Sequence, residues 1–187
     1  MDFFQQVNLT INHNWQSTKK VVENLIKLEQ RVVPSEYGAA DHYELKSLGT
    51  ISRHRPSEHW YRVSGPAVTR TMSWLPKMLD IMKELKPDEG CISRLKGNGA
   101  EHIDLPHLMT SVNYIFDNSD QLAYTSITNK KEVFTYPSCI NSAWILNTQL
   151  PHKIINNGIR WTLSIHFNTE YGIVKEWFDN NTNLIFE

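Results

Sequence analysis

The chain has 187 residues, of which 40% are hydrophobic and 21% are charged, and its formal net charge is -1 at pH 7. These values indicate an ordinary soluble globular chain, and we expect a single domain over residues 1–187 with a sizeable core. The near-neutral charge lacks the electrostatic footprint expected for binding nucleic acid or anionic membranes, and the sequence has no apolar run of the roughly 18 residues that a membrane span requires.

Two helices are predicted in the first half of the chain. The first covers residues 15–30, where apolar residues repeat at helical spacing on a charged background. The second covers residues 68–85, and Pro87 ends it. Within that second pattern, Pro76 begins a new helical segment or makes a kink. Residues 43–62 lie between the helices and are rich in Tyr, His and Arg, so we expect extended strands and loops there.

From residue 90 onward, short β-prone segments alternate with turn signals. This pattern, without helices in between, predicts a mainly β protein with flanking helices, organised as a double-stranded β-helix (a cupin-like jelly roll). We expect the jelly-roll core at 90–170 and a helical and extended flanking part at 1–89. The predicted strands are 91–95, 108–116, 123–128, 132–136, 142–147, 152–156 and 159–168.

The pair His102 and Asp104, in His102-Ile103-Asp104, is a candidate for metal binding. With 8 His and 20 Asp plus Glu in 187 residues, about one His-x-Asp or His-x-Glu pair is expected by chance. The chain contains two such pairs, the other being His42-Tyr43-Glu44. That second pair lies in a polar stretch and has no downstream His and Arg in a comparable strand context, so we interpret it as the chance occurrence.

His152 is the expected third ligand. Side chains two apart on a strand face the same side, so His102 and Asp104 can reach one ion, and closure of the roll would bring His152 from a distant strand. Two imidazoles and one carboxylate on one face of an octahedral ion form the arrangement of non-haem Fe(II) oxygenases, with three positions left open. The alternative is that His152 is an ordinary histidine in a turn.

The last predicted strand alternates polar and apolar residues, and its polar face carries Arg160, Thr162 and Ser164. Burying a guanidinium without a partner is unfavourable, and an anionic ligand would remove that cost. An Arg fork beside a Thr hydroxyl suits the distal carboxylate of 2-oxoglutarate. The alternative is a solvent-facing polar edge of an amphipathic strand.

Five sequence blocks within residues 90–168 occur together in one order. The blocks are Arg94-Leu95-Lys96-Gly97, His102-Ile103-Asp104, Val112-Asn113-Tyr114-Ile115, Leu146-Asn147-Thr148 with Pro151-His152-Lys153-Ile154-Ile155-Asn156, and Arg160-Trp161-Thr162-Leu163-Ser164. Together they resemble the aspartyl/asparaginyl β-hydroxylase-like branch of the 2-oxoglutarate and Fe(II)-dependent dioxygenases, a branch similar to certain bacterial proline hydroxylases and viral relatives.

The resemblance implies a role for each of these residues. His102, Asp104 and His152 would bind Fe(II), and Arg160, helped by Thr162, would hold the C5 carboxylate of 2-oxoglutarate. Asn113 would face the cosubstrate or the surroundings of the metal ligands. The sequence departs from the family pattern at Thr162, where Ser is frequent, and at Ser111, where some relatives have a basic residue.

The implied reaction consumes O2 and 2-oxoglutarate and releases succinate and CO2 while hydroxylating an amino acid or a peptide or protein side chain. Two other functions are open at this point. One is a catalytically silent, cupin-like metal- or ligand-binding protein. The other is a metal-dependent isomerase or hydrolase, which would give Arg160 no 2-oxo acid to bind.

Three further groups of residues are candidates for the surroundings of the site. Apolar walls or ordinary core are expected from Trp144, Trp161 and Phe134. Contact with a substrate carboxylate, or a solvated loop, is expected for His54, Arg55, His59, Tyr61 and Arg62. A role behind the metal ligands or in the structure, rather than ligation, is expected for His107 and His166.

Cys91 and Cys139 form neither a CxxC pair nor a disulfide framework. We expect two reduced, mostly buried thiols that are not metal ligands, because oxygen-activating iron sites use nitrogen and oxygen donors. Residues 1–6 lack the basic start and apolar core of a signal peptide. A cytoplasmic protein without nucleic-acid or membrane partners is therefore expected, and the sequence leaves the oligomeric state open.

Overall fold

The computed structural model describes residues 3–32, 42–44, 50–53, 60–88 and 90–187. Its helices are α1 (Trp15–Val32), α2 (Pro66–Thr69), α3 (Leu75–Ile81) and α4 (Tyr171–Asn180), and a short 3₁₀ turn at Lys83–Leu85 follows α3. Its strands are β1 (Phe4–Val7), β2 (Leu9–Ile11), β3 (His42–Glu44), β4 (Thr50–Arg53), β5 (Trp60–Ser64), β6 (Cys91–Lys96), β7 (Thr110–Asn118), β8 (Tyr124–Asn129), β9 (Glu132–Pro137), β10 (Ser142–Asn147), β11 (His152–Ile155), β12 (Ile159–Phe167) and β13 (Leu184–Phe186).

The strands form two principal sheets. The large sheet has eight antiparallel strands in the order β1-β10-β7-β12-β6-β5-β4-β3. The small sheet has three antiparallel strands in the order β11-β8-β9, and β2 pairs with β13 in a separate parallel ribbon. This arrangement confirms the predicted double-stranded β-helix with flanking helices.

Apolar and polar side chains alternate along β12, so one face of this strand lies in the hydrophobic core and the other face lines a pocket. Trp161, Leu163, Ile165 and Phe167 are buried in one core cluster with residues of α1, α3 and α4. Since successive side chains of a strand point to opposite faces, the polar residues between them turn away from the helices. The large sheet therefore packs on helices with one face and lines a polar pocket with the other.

The predicted elements agree with the structure over most of the described residues. The seven strands predicted between residues 90 and 170 are all present, with ends within two residues of the predicted ones. The second predicted helix is divided into α2 and α3, and Pro76 lies in the first turn of α3. There the missing N–H of proline leaves no helical hydrogen bond unmade.

Four elements were not predicted: β1, β2, α4 and β13. The extended segments expected between residues 43 and 62 include β3, β4 and the start of β5, whereas His54, Arg55 and His59 lie outside the described residues. The pair His42 and Glu44 belongs to edge strand β3, and the structure does not describe its side chains. None of the described helices has the length and apolar character needed to cross a membrane.

Candidate metal centre and pocket

Backbone hydrogen bonds hold the His102–Asp104 segment against β11. His102 N donates to His152 O at 3.0 Å, and His152 N donates back to His102 O at 2.9 Å. Asp104 N donates to Thr148 O at 3.1 Å. The two histidines therefore form one antiparallel bridge although they are far apart in the chain, and their ring centroids lie 4.3 Å apart.

A backbone carbonyl orients each imidazole. His102 Nδ1 lies 2.9 Å from Ala100 O, and His152 Nδ1 lies 2.9 Å from Leu150 O. Because a carbonyl oxygen can only accept, Nδ1 carries the hydrogen in both neutral rings and Nε2 carries the lone pair. Metal-binding histidines are commonly oriented in this way, through a hydrogen bond from the nitrogen that does not bind the metal.

Asp104 completes a group of three side chains with the geometry of a metal site. One potential ligand atom from each of His102, Asp104 and His152 lies within 4.8 Å of the other two. His102 Nε2 is 3.5 Å from Asp104 Oδ1. Two nitrogen donors and one carboxylate oxygen fit the facial ligand set of non-haem Fe(II). The structure thus brings together the three predicted residues, and their role as iron ligands stays a prediction.

The surroundings favour the protonation states that a metal requires at Asp104 and His152, but not at His102. Burial lowers the pKa of His102, but its contacts with Asp104 and Ala100 O outweigh burial and raise this pKa, so the ring releases a proton when a metal binds. Burial opposes ionisation of Asp104, but its close contacts with His102 and His166 outweigh burial and hold the pKa of this carboxyl well below its usual value. Burial lowers the pKa of His152, and the neighbouring His102 lowers it further. An ionised carboxylate and a neutral imidazole are the forms that bind a metal ion.

A second polar cluster lies behind Asp104. His166 Nε2 is 3.5 Å from Asp104 Oδ2, and His166 Nδ1 is 3.3 Å from Asp88 Oδ2. Arg62 Nη2 is 3.0 Å from the same Nδ1, and Arg62 Nε and Nη2 donate to Cys91 Sγ at 3.2 and 3.1 Å. His166 therefore contacts a candidate metal ligand, which agrees with the expected role behind the ligands.

Arg160 lies at another part of the same pocket and is almost completely buried, with 3% exposure. Its Nη1 donates to Thr125 Oγ1 at 3.2 Å, whereas its Nε has no hydrogen-bond partner among the described residues. The buried hydroxyl of Tyr136 lies beside this guanidinium and Thr125 and interacts with both, but it has the geometry of a hydrogen bond with neither. A carboxylate ligand would accept hydrogen bonds from Arg160 Nε and the Tyr136 hydroxyl and would neutralise the buried guanidinium.

Thr162 and Asn113 line the pocket with Arg160 and the metal cluster. Asn113 Nδ2 donates to Ser111 Oγ at 2.8 Å, and Ser164 Oγ donates to Asn113 Oδ1 at 2.7 Å. A polar floor thus runs across β7 and β12. The three residues predicted to face the cosubstrate therefore share one cavity with the candidate metal ligands, and their function stays a prediction.

The pocket opens to solvent, and the space inside it together with that open mouth is about 600 Å³. Its apolar lining consists of Leu95, Leu146 and Ile154. The three aromatic residues expected as walls or core do not line it. Trp161 lies on the helix side of β12, and Trp144 and Phe134 pack in a smaller core around Phe3 and Tyr136.

From the sequence alone, the pocket residues Thr125 and Tyr136 receive no role, and Arg62 stays open between a substrate contact and a solvated loop. Thr125 and Tyr136 lie in predicted strands but belong to no motif, and only pairing of β8 with β9 places them opposite each other. Arg62 lines the pocket, and its neighbour Tyr61 is buried in the core. Two other expectations concern the surface: His107 is exposed, and Cys139 is exposed although we expected a mostly buried thiol.

No protein-family model matches the chain, and no curated protein matches it in sequence. Solved structures do match. A prolyl hydroxylase from Trichoplax adhaerens, in complex with a hypoxia inducible factor oxygen degradation domain peptide fragment, is 11% identical with a TM-score of 0.56, and the match covers 89% of this chain and 84% of that one.

Two further solved structures are similar to the chain. EvdMO1 is 12% identical with a TM-score of 0.51 over 89% of this chain and 47% of that one. An oxidoreductase of the 2OG-Fe(II) oxygenase family from Burkholderia pseudomallei is 10% identical with a TM-score of 0.47 over 63% of this chain and 73% of that one. The chain shares its fold with the prolyl hydroxylase and with EvdMO1.

Proposed function

We propose that this protein is an Fe(II)- and 2-oxoglutarate-dependent dioxygenase that hydroxylates an amino acid or a peptide or protein side chain. One observation carries the proposal. A His, Asp and His cluster with both Nε2 lone pairs directed by backbone hydrogen bonds shares a pocket with a buried guanidinium that no carboxylate of the described residues neutralises. The sequence blocks between residues 90 and 168 support assignment to the aspartyl/asparaginyl β-hydroxylase-like branch.

Each group of pocket residues has one task in this proposal. His102, Asp104 and His152 hold the iron, and Arg160 with Thr125 and Tyr136 binds the C5 carboxylate of 2-oxoglutarate. When bound, iron and 2-oxoglutarate supply an oxidation in which O2 gives one oxygen atom to succinate and one to the substrate, with release of CO2. Thr162 and Asn113 orient the cosubstrate on the sheet.

The apolar side chains Leu95, Leu146 and Ile154 limit the water that reaches the reacting groups, which strengthens the electrostatic contacts inside the pocket.

A peptide substrate is supported by the peptide fragment bound in the similar Trichoplax structure.

The proposal is tested by adding Fe(II) and 2-oxoglutarate to the protein under anaerobic conditions. We expect a weak visible charge-transfer band from the iron chelate, and succinate release after O2 is admitted. A well-folded protein that shows neither the band nor succinate would exclude a dioxygenase. A band without succinate, across amino-acid and peptide substrates, would instead favour the silent binding protein.

A matched pair of histidine variants tests the metal ligands. His152→Ala removes one Nε2 donor, and we expect iron binding to be lost in equilibrium dialysis. His107→Ala removes an exposed histidine that does not line the pocket, and iron binding should be unchanged. Equal iron binding by the two variants would show that His152 is a structural residue.

A further inference from the structure

The pocket contains a second guanidinium that the cosubstrate does not need. Arg62 reaches the pocket from β5 and contacts His166, which in turn contacts Asp104. Arg160 contacts Thr125 instead. One guanidinium thus belongs to the metal end of the cavity, and the other belongs to the end assigned to the C5 carboxylate.

The hydrogen-bond partners of Arg62 are weak acceptors for a cation. They are the thiol of Cys91 and one ring nitrogen of His166. Among the described residues, no carboxylate oxygen lies within ion-pair distance of this guanidinium, since the nearby Asp88 contacts His166 instead. Guanidinium groups favour carboxylates, which accept two parallel N–H bonds, and Arg62 has no such partner here.

The charges of the occupied pocket also favour another anion. Arg62, Arg160 and Asp104 are the residues with charged side chains that line it, apart from the histidines. Among the groups that line the pocket, two guanidinium groups and a divalent iron face one aspartate and the two carboxylates of 2-oxoglutarate, which leaves one positive charge. Asp88 lies outside this lining, 3.3 Å from His166, and compensates part of that charge. Once Asp104 shares its charge with iron, it compensates Arg62 less, so the unbalanced charge lies nearest to Arg62.

We propose that Arg62 anchors a carboxylate of the substrate and thereby selects an acidic substrate for this site. The inference rests on the proposed function, because the metal and the cosubstrate create the charge balance that leaves Arg62 available. The carboxylate could be the α-carboxylate of a free amino acid or an acidic side chain of a peptide. Both present the same fork to Arg62, and the experiment distinguishes them.

The experiment measures binding to protein loaded with Zn(II) in place of iron and with saturating 2-oxoglutarate, so that no turnover occurs. Free L-proline, L-aspartate and L-asparagine are compared with their α-carboxamides by calorimetry. N-acetyl-aspartate N-methylamide is compared with N-acetyl-asparagine N-methylamide to represent a peptide side chain. We expect at least one acid to bind at least about tenfold more tightly than its amide, as for a charged hydrogen bond. The pair that shows this preference identifies the source of the carboxylate.

Arginine variants connect the preference to Arg62. Arg62→Gln should reduce the acid-to-amide preference to less than about twofold, and Arg62→Lys, which keeps the charge but not the fork, should retain part of it. Arg94→Gln is the matched control, since Arg94 lies over the Trp161 ring and does not line the pocket. This control should keep the full preference.

Two results would overturn the inference. The first is that no acid in the set is preferred over its amide by the wild-type protein, or that Arg62→Gln keeps the preference. The second is that Arg62→Gln weakens 2-oxoglutarate as strongly as Arg160→Met does, which would make Arg62 part of the cosubstrate site. If Arg62→Gln does not fold, Arg62→Lys replaces it: a preference below the wild-type value supports the inference, and an unchanged preference overturns it. Failure of the proposed function is separate, because wild-type protein would then not bind 2-oxoglutarate at all.

Discussion

Replacing Arg160 by methionine should stabilise the protein in the absence of ligand while it abolishes cosubstrate binding. The side chain is 3% exposed and makes one hydrogen bond, at 3.2 Å, to the neutral Thr125. A buried charge without a counter-charge is unfavourable for folding, and exchanging buried ionic groups for apolar ones of similar volume is often stabilising by about 1–4 kcal/mol. Losing the hydrogen bond offsets about 1 kcal/mol of this gain.

We therefore expect the free energy of unfolding of Arg160→Met to equal or exceed that of the wild type, by about 0–3 kcal/mol without ligand. Adding 2-oxoglutarate at 100 times its Kd should stabilise the Zn(II)-loaded wild type by about 2.7 kcal/mol and leave the variant unchanged. The difference in stability between the two proteins should then shrink or reverse.

Urea denaturation with and without 2-oxoglutarate measures both quantities, provided that the slope of free energy against urea is the same for both proteins. Tyr136→Phe is a control for the measurement without ligand only, because it removes a buried hydroxyl that makes no hydrogen bond of good geometry with the described residues and should not destabilise the ligand-free protein. A ligand-free Arg160→Met protein less stable than the wild type would refute the reasoning, since the guanidinium would then be compensated within the fold.

Three further substitutions test the site and its support. His166→Phe removes the group 3.5 Å from Asp104 Oδ2 and should weaken metal binding about 10- to 100-fold in a chelator competition; unchanged affinity would mean that Asp104 is oriented without it. Gly158→Ala places a Cβ against Ser119 Oγ and close to the Asp120 backbone, and it should cost about 1–3 kcal/mol. The cost should be smaller in a Ser119→Ala background, and additive effects in urea denaturation would disprove the contact with Ser119. Met78→Ala, at a fully buried position, should cost about 2–5 kcal/mol in the same assay, and a smaller loss would indicate a core that collapses into the vacated volume.

The strands around the site could be predicted because their signals are local. Turn residues divide residues 90–170 into short segments, and the alternation of Arg160, Thr162 and Ser164 with apolar neighbours identifies the two faces of β12. A pair such as His102 and Asp104 is expected about once by chance in a chain of this composition. The pair predicts a metal site only together with His152 and Arg160, which follow later in the sequence. The structure places all four in one pocket.

The unpredicted parts depend on contacts distant in sequence or lack a local signal. Two polar glutamines occupy β1, which is fixed by pairing with β10. Helix α4 has Gly172 in its first turn, and its N-cap Glu170 makes no side-chain capping bond, so the usual signals of a helix start are missing. Likewise, Arg62 meets His166 only because the large sheet orders β5, β6 and β12 side by side.

The bridge between His102 and His152 has a consequence for the stability of the whole roll. A metal ion bound to both imidazoles would act as a removable cross-link, closing the chain from residue 102 to residue 152 into a loop that contains β7 to β10. Cross-links across long loops restrict the unfolded chain, as disulfides do. The metal would thus stabilise the fold in addition to its catalytic role. Removing it with a chelator should speed amide hydrogen exchange along β11, and this measurement requires no substrate.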